Sequence, residues 1–140
     1  MTYVVHTTED ALLITTARGA LCVKSAKRGC RDGSCGSCRV LLDGALVSSC
    51  LVRMGDVADG ATLEAYEDVA REEPARRALA QFEDERPTRC DLCVGGLAVT
   101  AVSLARRGLA RDEAAIDAVL EGAHCQCTGR GSLRRALRRA

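Results

Sequence analysis

The spacing of apolar residues changes its period about halfway along the chain. Residues 38–53 read CRVLLDGALVSSCLVR, in which two short apolar runs flank an Asp-Gly pair, a pattern typical of a β-hairpin. Residues 67–87 read EDVAREEPARRALAQFEDERP, a charged stretch with Ala, Leu and Phe at helical spacing. The change predicts an α+β chain of two domains, residues 1–66 and residues 67–140, with a linker near residues 56–73.

Further elements follow from the same patterns. In the first part, TYVVHT is a predicted strand and EDALLITTARG a predicted short helix. In the second part, the periodicity and the glycines at helix ends predict four helices. These helices cover Pro74–Asp84, Gly95–Arg107, Arg111–Leu120 and Gly131–Arg139.

Composition limits what packing alone can hold together. The 140 residues include only 2% aromatics, so two small cores built from Val, Leu and Ala would be thin. A net charge of +1 lacks the basic balance of nucleic-acid binders. The start MTYVVHTTED does not have the pattern of a secretory signal, and no apolar run approaches the roughly 20 residues that cross a bilayer. We therefore expect a cytoplasmic protein with reduced thiols, and neither nucleic acid nor membrane as a partner.

Nine cysteines provide another means of stabilisation. Cys22 stands apart from the others, and its apolar neighbours in ALCV predict a buried core thiol. The other eight form two groups of four, Cys30, Cys35, Cys38 and Cys50, then Cys90, Cys93, Cys125 and Cys127. Two groups of four indicate two metal sites.

The first group has the spacing of a plant-type 2Fe-2S ligand set, C-x4-C-x2-C with a distant fourth cysteine. Three of these ligands lie in residues 29–38, GCRDGSCGSC. Glycines in that loop leave room for an inorganic core and leave backbone N–H groups free to point at sulfur. Structural zinc sites instead use paired C-x2-4-C units with a long spacer. The first group is therefore predicted to bind a 2Fe-2S cluster.

The second group leaves the metal open when its residues are taken alone. The pairs Cys90-x2-Cys93 and Cys125-x-Cys127 make a four-thiolate set that either zinc or an iron-sulfur cluster could occupy, and an isolated CDLC could be redox-active. His124 offers an imidazole beside Cys125, but four thiolates complete the set without it.

The chain resembles the small iron-sulfur subunit of the molybdenum hydroxylases, the family of xanthine dehydrogenase, carbon monoxide dehydrogenase and aldehyde oxidoreductase. The likeness is carried by KRGCRDGSCGSCRVLLDG, SSCL, LEAYEDVA, QFEDERPTRCDLCVGG and AVLEGAHCQCTGRGSLRRAL. Among the departures from the family pattern, Arg89 and Asp91 flank Cys90 where Gln and Gly are usual. TYVVHTTEDALL is similar to what is normally the second strand of the family, so we expect either that the start is incomplete or that another chain covers the open edge.

The resemblance implies a plant-type ferredoxin-like (β-grasp) domain followed by an all-α four-helix domain. One 2Fe-2S cluster would be held by Cys30, Cys35, Cys38 and Cys50, and the other by Cys90, Cys93, Cys125 and Cys127. It implies an electron-transfer subunit with no catalytic residues of its own, a large partner subunit with molybdopterin, and an FAD-binding subunit or an external acceptor. In the family the helical-domain cluster lies nearer molybdenum. The alternative is a non-enzymatic metal-binding or redox-sensing module with zinc in the helical domain.

Overall fold

The first half of the chain contains three strands between two short helices, and helices alone follow in the second half. The computed structural model describes residues 2–85, 90–121, 123, 127 and 129–140. Within these residues the elements are, in order, α1 (Leu13–Gly19), β1 (Arg39–Leu42), β2 (Ala45–Ser48), a 3-10 turn (Met54–Asp56), β3 (Leu63–Glu64), α2 (Tyr66–Val69), α3 (Glu73–Glu85), α4 (Val94–Arg106), α5 (Glu113–Val119) and α6 (Gly129–Arg138). The α+β class is confirmed. Segment 56–73, predicted as a linker, contains β3 and α2.

The three strands form an antiparallel sheet in the order β2-β1-β3. Asp43 and Gly44 join β1 to β2 with φ angles of 49° and 78°, the left-handed values that a two-residue hairpin turn requires. The carboxylate of Asp43 accepts hydrogen bonds from the amide and the hydroxyl of Thr62, at 2.7 and 2.9 Å. The predicted hairpin is confirmed, and its turn is tied to the chain that enters β3.

The four predicted helices of the second half are also confirmed, as α3 to α6. They surround an apolar core whose large buried members are Phe82, Leu97, Leu104, Ile116, Leu120, Leu133 and Leu137. At the surface, Arg134 of α6 pairs with Asp117 of α5, with Nε 2.7 Å from the carboxylate. Among the described residues, no helix combines the length and the apolar character that crossing a membrane would require.

A second core joins the sheet to the helices. Leu41 of β1 packs with Val69 of α2 and with Val99 and Val102 of α4, and all four side chains are buried. Burial of apolar surface stabilises by about 25 cal/mol per Å², so this core fixes α4 against β1. Because β1 follows Cys38 of one cysteine group and α4 follows Cys93 of the other, the core also sets how the two groups approach each other.

Two local predictions are wrong. Residues 2–7, predicted as a strand, form none, and Val4 is 84% exposed, so the apolar pattern there has no core to face. Cys22, predicted to be buried, is exposed. Its φ of 57° turns the chain shortly after α1, so the Cys22 side chain faces solvent. The next residue, Val23, packs on the core formed by Leu13, Ala26, Val40 and Ala65.

A buried hydroxyl gives a stability prediction. Ser103 of α4 is 2% exposed, and its hydroxyl has no hydrogen-bond partner among the described residues. Ser103→Ala should raise the free energy of unfolding by about 1 kcal/mol, because an unpaired buried polar group is removed. Ser49→Ala is the matched control, since the buried Ser49 hydroxyl donates to the Cys38 carbonyl at 2.6 Å. That variant should lose about 1 kcal/mol, and urea unfolding curves that shift in the same direction for both would contradict this prediction.

Candidate metal centres

The β-hairpin brings the last two cysteines of the first group together. Cys38 directly precedes β1 and Cys50 follows β2 by two residues, while the antiparallel register pairs Arg39 with Ser48. The amide and hydroxyl of Ser49 both donate to the Cys38 carbonyl, at 3.3 and 2.6 Å. Cys38 and Cys50 are thereby held at the open end of the hairpin, and both are buried.

Cys30 and Cys35 lie on the loop that leads into the hairpin, and both are half-buried free thiols. The amide of Cys35 donates to Cys30 Sγ at 3.4 Å, and the amide of Ser37 donates to Cys35 Sγ at 3.5 Å. Backbone N–H groups that point at sulfur stabilise negative charge on thiolates. The loop is therefore shaped to hold anionic sulfur.

Glycine keeps the inside of this loop clear. A Cβ at Gly29 would lie 3.1 Å from Cys35 Sγ, so any side chain there would crowd the thiol. Gly36 has a φ of 72°, a backbone conformation that residues other than glycine adopt only at a cost in free energy. The backbone of this loop therefore leaves the space beside the Cys35 thiol clear.

The thiols of the first group influence one another electrostatically. Burial raises the pKa of Cys50 to about 12, with further contributions from Cys38, Cys30 and Cys35. Burial also opposes ionisation of Cys30, but hydrogen bonds from the amide and thiol of Cys35 outweigh it and lower the Cys30 pKa. The Cys50 thiol would therefore ionise only when a bound cation offsets its burial, and metal binding there would release its proton.

The described cysteines of the second group lie at or near helix starts. Cys93 is the N-cap of α4, Cys127 lies two residues before α6, and Cys90 is half-buried in the chain that leads to α4. The N-terminal ends of these helices favour negative charge on nearby sulfur. Cys125 lies outside the described residues, as do Arg89 and His124.

The two cysteine loops, residues 29–38 and the CDLC segment of residues 90–93, lie against each other. Lys27 Nζ donates to the carbonyl of Asp91 at 3.0 Å, which links the chain before the first loop to the CDLC segment. Cys35 and Cys93 line the same cavity, at the junction of the loop and α4. The first loop and the CDLC segment are therefore neighbours in the structure.

A close approach of α4 to the first loop depends on glycine. A Cβ at Gly96 would overlap the carbonyl oxygen of Gly36 and lie 2.9 Å from its carbonyl carbon. A Cβ at Gly95 would lie 3.0 Å from Ser25, whose amide and hydroxyl donate to the Glu67 carboxylate. The paired glycines in the first turn of an apolar helix were the signal for this contact in the sequence.

Arg39 is the other residue of the site that the sequence patterns did not single out. It begins β1 directly after Cys38, and its guanidinium reaches α4 and the end of α5. Burial lowers the pKa of this guanidinium, while the negative charges of Cys38 and Cys35 act in the opposite direction. An arginine at the head of the apolar strand RVLL, beside a cysteine ligand, was the available signal.

The donor set of the first group fits a 2Fe-2S cluster. Thiolates are the usual ligands of such clusters, and the amides aimed at Cys30 and Cys35 and the cleared space beside Gly29 suit one. Among the described residues, no group of three or more His, Cys, Asp or Glu side chains lies close enough together to hold a single metal ion. A 2Fe-2S cluster is compatible with that arrangement, because two thiolates serve each iron.

Comparison with known proteins gives consistent matches over most of the chain. A nicotinate dehydrogenase subunit of Pseudomonas putida is 32% identical over 94% of this chain and 83% of its own length. The nicotinate dehydrogenase small FeS subunit of Eubacterium barkeri is 32% identical over 83% of this chain and 73% of its own. No family model matches the chain.

A solved structure gives the same result for the fold. The aldehyde oxidoreductase of Desulfovibrio desulfuricans superposes on 96% of this chain with a TM-score of 0.81 and 28% identity. The chain spans only 15% of that enzyme's polypeptide. The matched fold is therefore one part of a larger enzyme there, and a separate subunit in the two nicotinate dehydrogenases.

Proposed function

Since the chain belongs to the family of 2Fe-2S subunits of the molybdenum hydroxylases, we propose that it relays electrons from a molybdopterin site on a large partner subunit through two 2Fe-2S clusters. Membership of this family makes the chain an electron-transfer subunit of an oxidoreductase. The family relationship makes iron-sulfur binding part of its function. Each cluster supplies one-electron transfer when bound. The zinc-binding or redox-sensing alternative is not favoured.

We assign the ligands as the sequence predicted them. One cluster would be held by Cys30, Cys35, Cys38 and Cys50, and the other by Cys90, Cys93, Cys125 and Cys127. The first cluster would belong to a ferredoxin-like unit, residues 1–66, and the second to a helical unit, residues 67–140. In support, the hairpin gathers Cys38 and Cys50, and Cys93 begins α4 while Cys127 lies just before α6.

The observation that carries the relay proposal is the contact between the two cysteine loops. Electrons pass efficiently only between centres that lie close together, and here Cys35 and Cys93 line one cavity while Lys27 bonds to Asp91. The cluster of the helical unit would receive electrons from the partner, and the first cluster would pass them to an FAD-binding subunit or an external acceptor. The chain's own residues would hold the centres and exclude water between them.

Substrate chemistry is assigned to the partner subunit. The relatives are named for different substrates, nicotinate and aldehyde, although they share this iron-sulfur unit. A unit that recurs with different substrates fits electron transfer better than substrate recognition. We also propose a cytoplasmic location, where reducing conditions keep the thiols available for iron.

Purification from the native host should recover the chain with a large molybdopterin-binding subunit. An affinity-tagged chain would be isolated without oxygen, and its partner identified by mass spectrometry, molybdenum analysis and release of the pterin. Recovery of a cluster-loaded chain with no molybdenum-containing partner, under conditions that preserve the complex, would contradict the relay function.

A further inference from the structure

Arg39 crosses from the strand that follows Cys38 into the helical part of the chain. Its Nη1 donates to Thr100 Oγ1 of α4 at 3.1 Å, and its Nη2 donates to the carbonyl of Val119 at the end of α5. The Thr100 hydroxyl itself donates to the carbonyl of Gly96 at 2.7 Å, which leaves its lone pairs to accept from Arg39. These bonds hold the guanidinium in one position.

Within the described residues, no carboxylate balances the charge of Arg39. Both hydrogen-bond partners are neutral, and no Asp or Glu in the described part of the chain forms an ion pair with it. Arginine stays protonated in proteins, and a cation withdrawn from water without a counter-charge is costly. The cysteines beside Arg39 are Cys38, its neighbour in the sequence, and Cys35, which lines the same cavity.

The guanidinium lies at the boundary between the two cysteine loops. A Cβ at Gly36 would lie 3.2 Å from Arg39 Cζ, so the guanidinium packs on the backbone of the first loop. The cavity that Cys35 and Cys93 line is also lined by Arg39. One fixed cation therefore faces the proposed position of the first cluster from the side of the second.

We propose that Arg39 is a positioning and charge-supplying residue that raises the reduction potential of the first cluster and fixes it relative to the second. The inference rests on the proposed function. Reduction adds a negative charge to a cluster, so a cation held at short range stabilises the reduced state. Half-buried charges are screened less by solvent and salt than exposed ones.

Exposed cations of the same loop provide the contrast. Arg28 and Arg31 flank Cys30 but are exposed to solvent, which screens their charges. Their effect on the potential should be small, although Arg31 lies directly next to Cys30 as Arg39 lies next to Cys38. Arg31→Gln is therefore a matched control for Arg39→Gln.

The test is a potentiometric titration of the cluster-loaded full chain, followed by electron paramagnetic resonance. Arg39→Gln should lower the equilibrium constant for reduction of the first cluster at least tenfold, which is a shift of about 59 mV for one electron. Arg31→Gln should change it less than threefold, and Arg39→Lys, which keeps the charge but not both hydrogen bonds, should change it less than Arg39→Gln does. Equal potentials for Arg39→Gln and Arg31→Gln would overturn the proposal, even if Arg39→Gln unfolds more easily.

Thr100 gives a second test that keeps the arginine in place. Thr100→Val removes the hydroxyl that accepts from Arg39, and it should lower the same equilibrium constant at least threefold, whereas Thr100→Ser should not. An unchanged potential in Thr100→Val would overturn the positioning role. This second test remains decisive if Arg39→Gln does not fold. A wild-type chain that binds no iron would instead defeat the proposed function, so the two failures are distinguishable.

Discussion

Cys35→Ser should leave the chain with about two irons instead of about four, because one ligand of the first cluster is lost and the other site is untouched. Besides its proposed role as a ligand, Cys35 shapes the loop, since its amide donates to Cys30 Sγ and its own sulfur accepts from the amide of Ser37. Visible absorption and the paramagnetic signal of the first cluster should disappear, while the signal of the second cluster persists.

Cys22→Ser is the control for that experiment. Cys22 is exposed and belongs to neither group of ligands, so its replacement should leave the iron content and both signals unchanged. If Cys35→Ser retains both signals, the ligand assignment of the first cluster is wrong. If Cys22→Ser loses one, the ligand set has been miscounted.

Gly96→Ala should destabilise the chain and weaken retention of the first cluster. The new Cβ would overlap the Gly36 carbonyl oxygen and lie 3.3 Å from the Cα of Ser37, and these are backbone atoms that cannot rotate aside. Overpacking of this kind costs about 1–3 kcal/mol or more, against a gain of about 1 kcal/mol from replacing glycine in a helix. We therefore expect a lower unfolding temperature and faster loss of visible absorbance on dilution.

Gly19→Ala is the matched control for Gly96→Ala. Gly19 also lies in a helix, at the end of α1, but a Cβ there would meet no atom within 4 Å. That variant should be as stable as the wild type or slightly more stable. A Gly96→Ala chain with wild-type stability and cluster retention would show that α4 and the first loop do not need this close contact.

Much of the fold could be predicted because it depends on local chemistry. The Asp43-Gly44 pair adopts the left-handed angles that its turn requires, and α3 to α6 follow apolar positions repeated at helical spacing. The cysteines of the first loop are three and five residues apart, so their grouping needs no tertiary information. These features are encoded over a few residues.

The features that could not be predicted depend on contacts between distant parts of the chain. Arg39 bonds to Thr100 and Val119, which lie 61 and 80 residues further along. No local pattern shows that the side chain of an arginine at the start of an apolar strand will form hydrogen bonds with the helices of the second half. The prediction that Cys22 is buried was wrong for a related reason. Apolar neighbours indicate burial only where the backbone keeps a regular conformation, and the φ of 57° at Cys22 interrupts it.

The most direct test of the two-cluster relay is metal and sulfide analysis of the complex purified from its native host. Two 2Fe-2S clusters predict about four irons and four acid-labile sulfides per chain, no stoichiometric zinc, and two distinguishable paramagnetic signals on reduction. About two irons with one zinc per chain, and a single signal, would contradict the relay, because the helical unit would then hold a structural zinc instead of the second centre of an electron path.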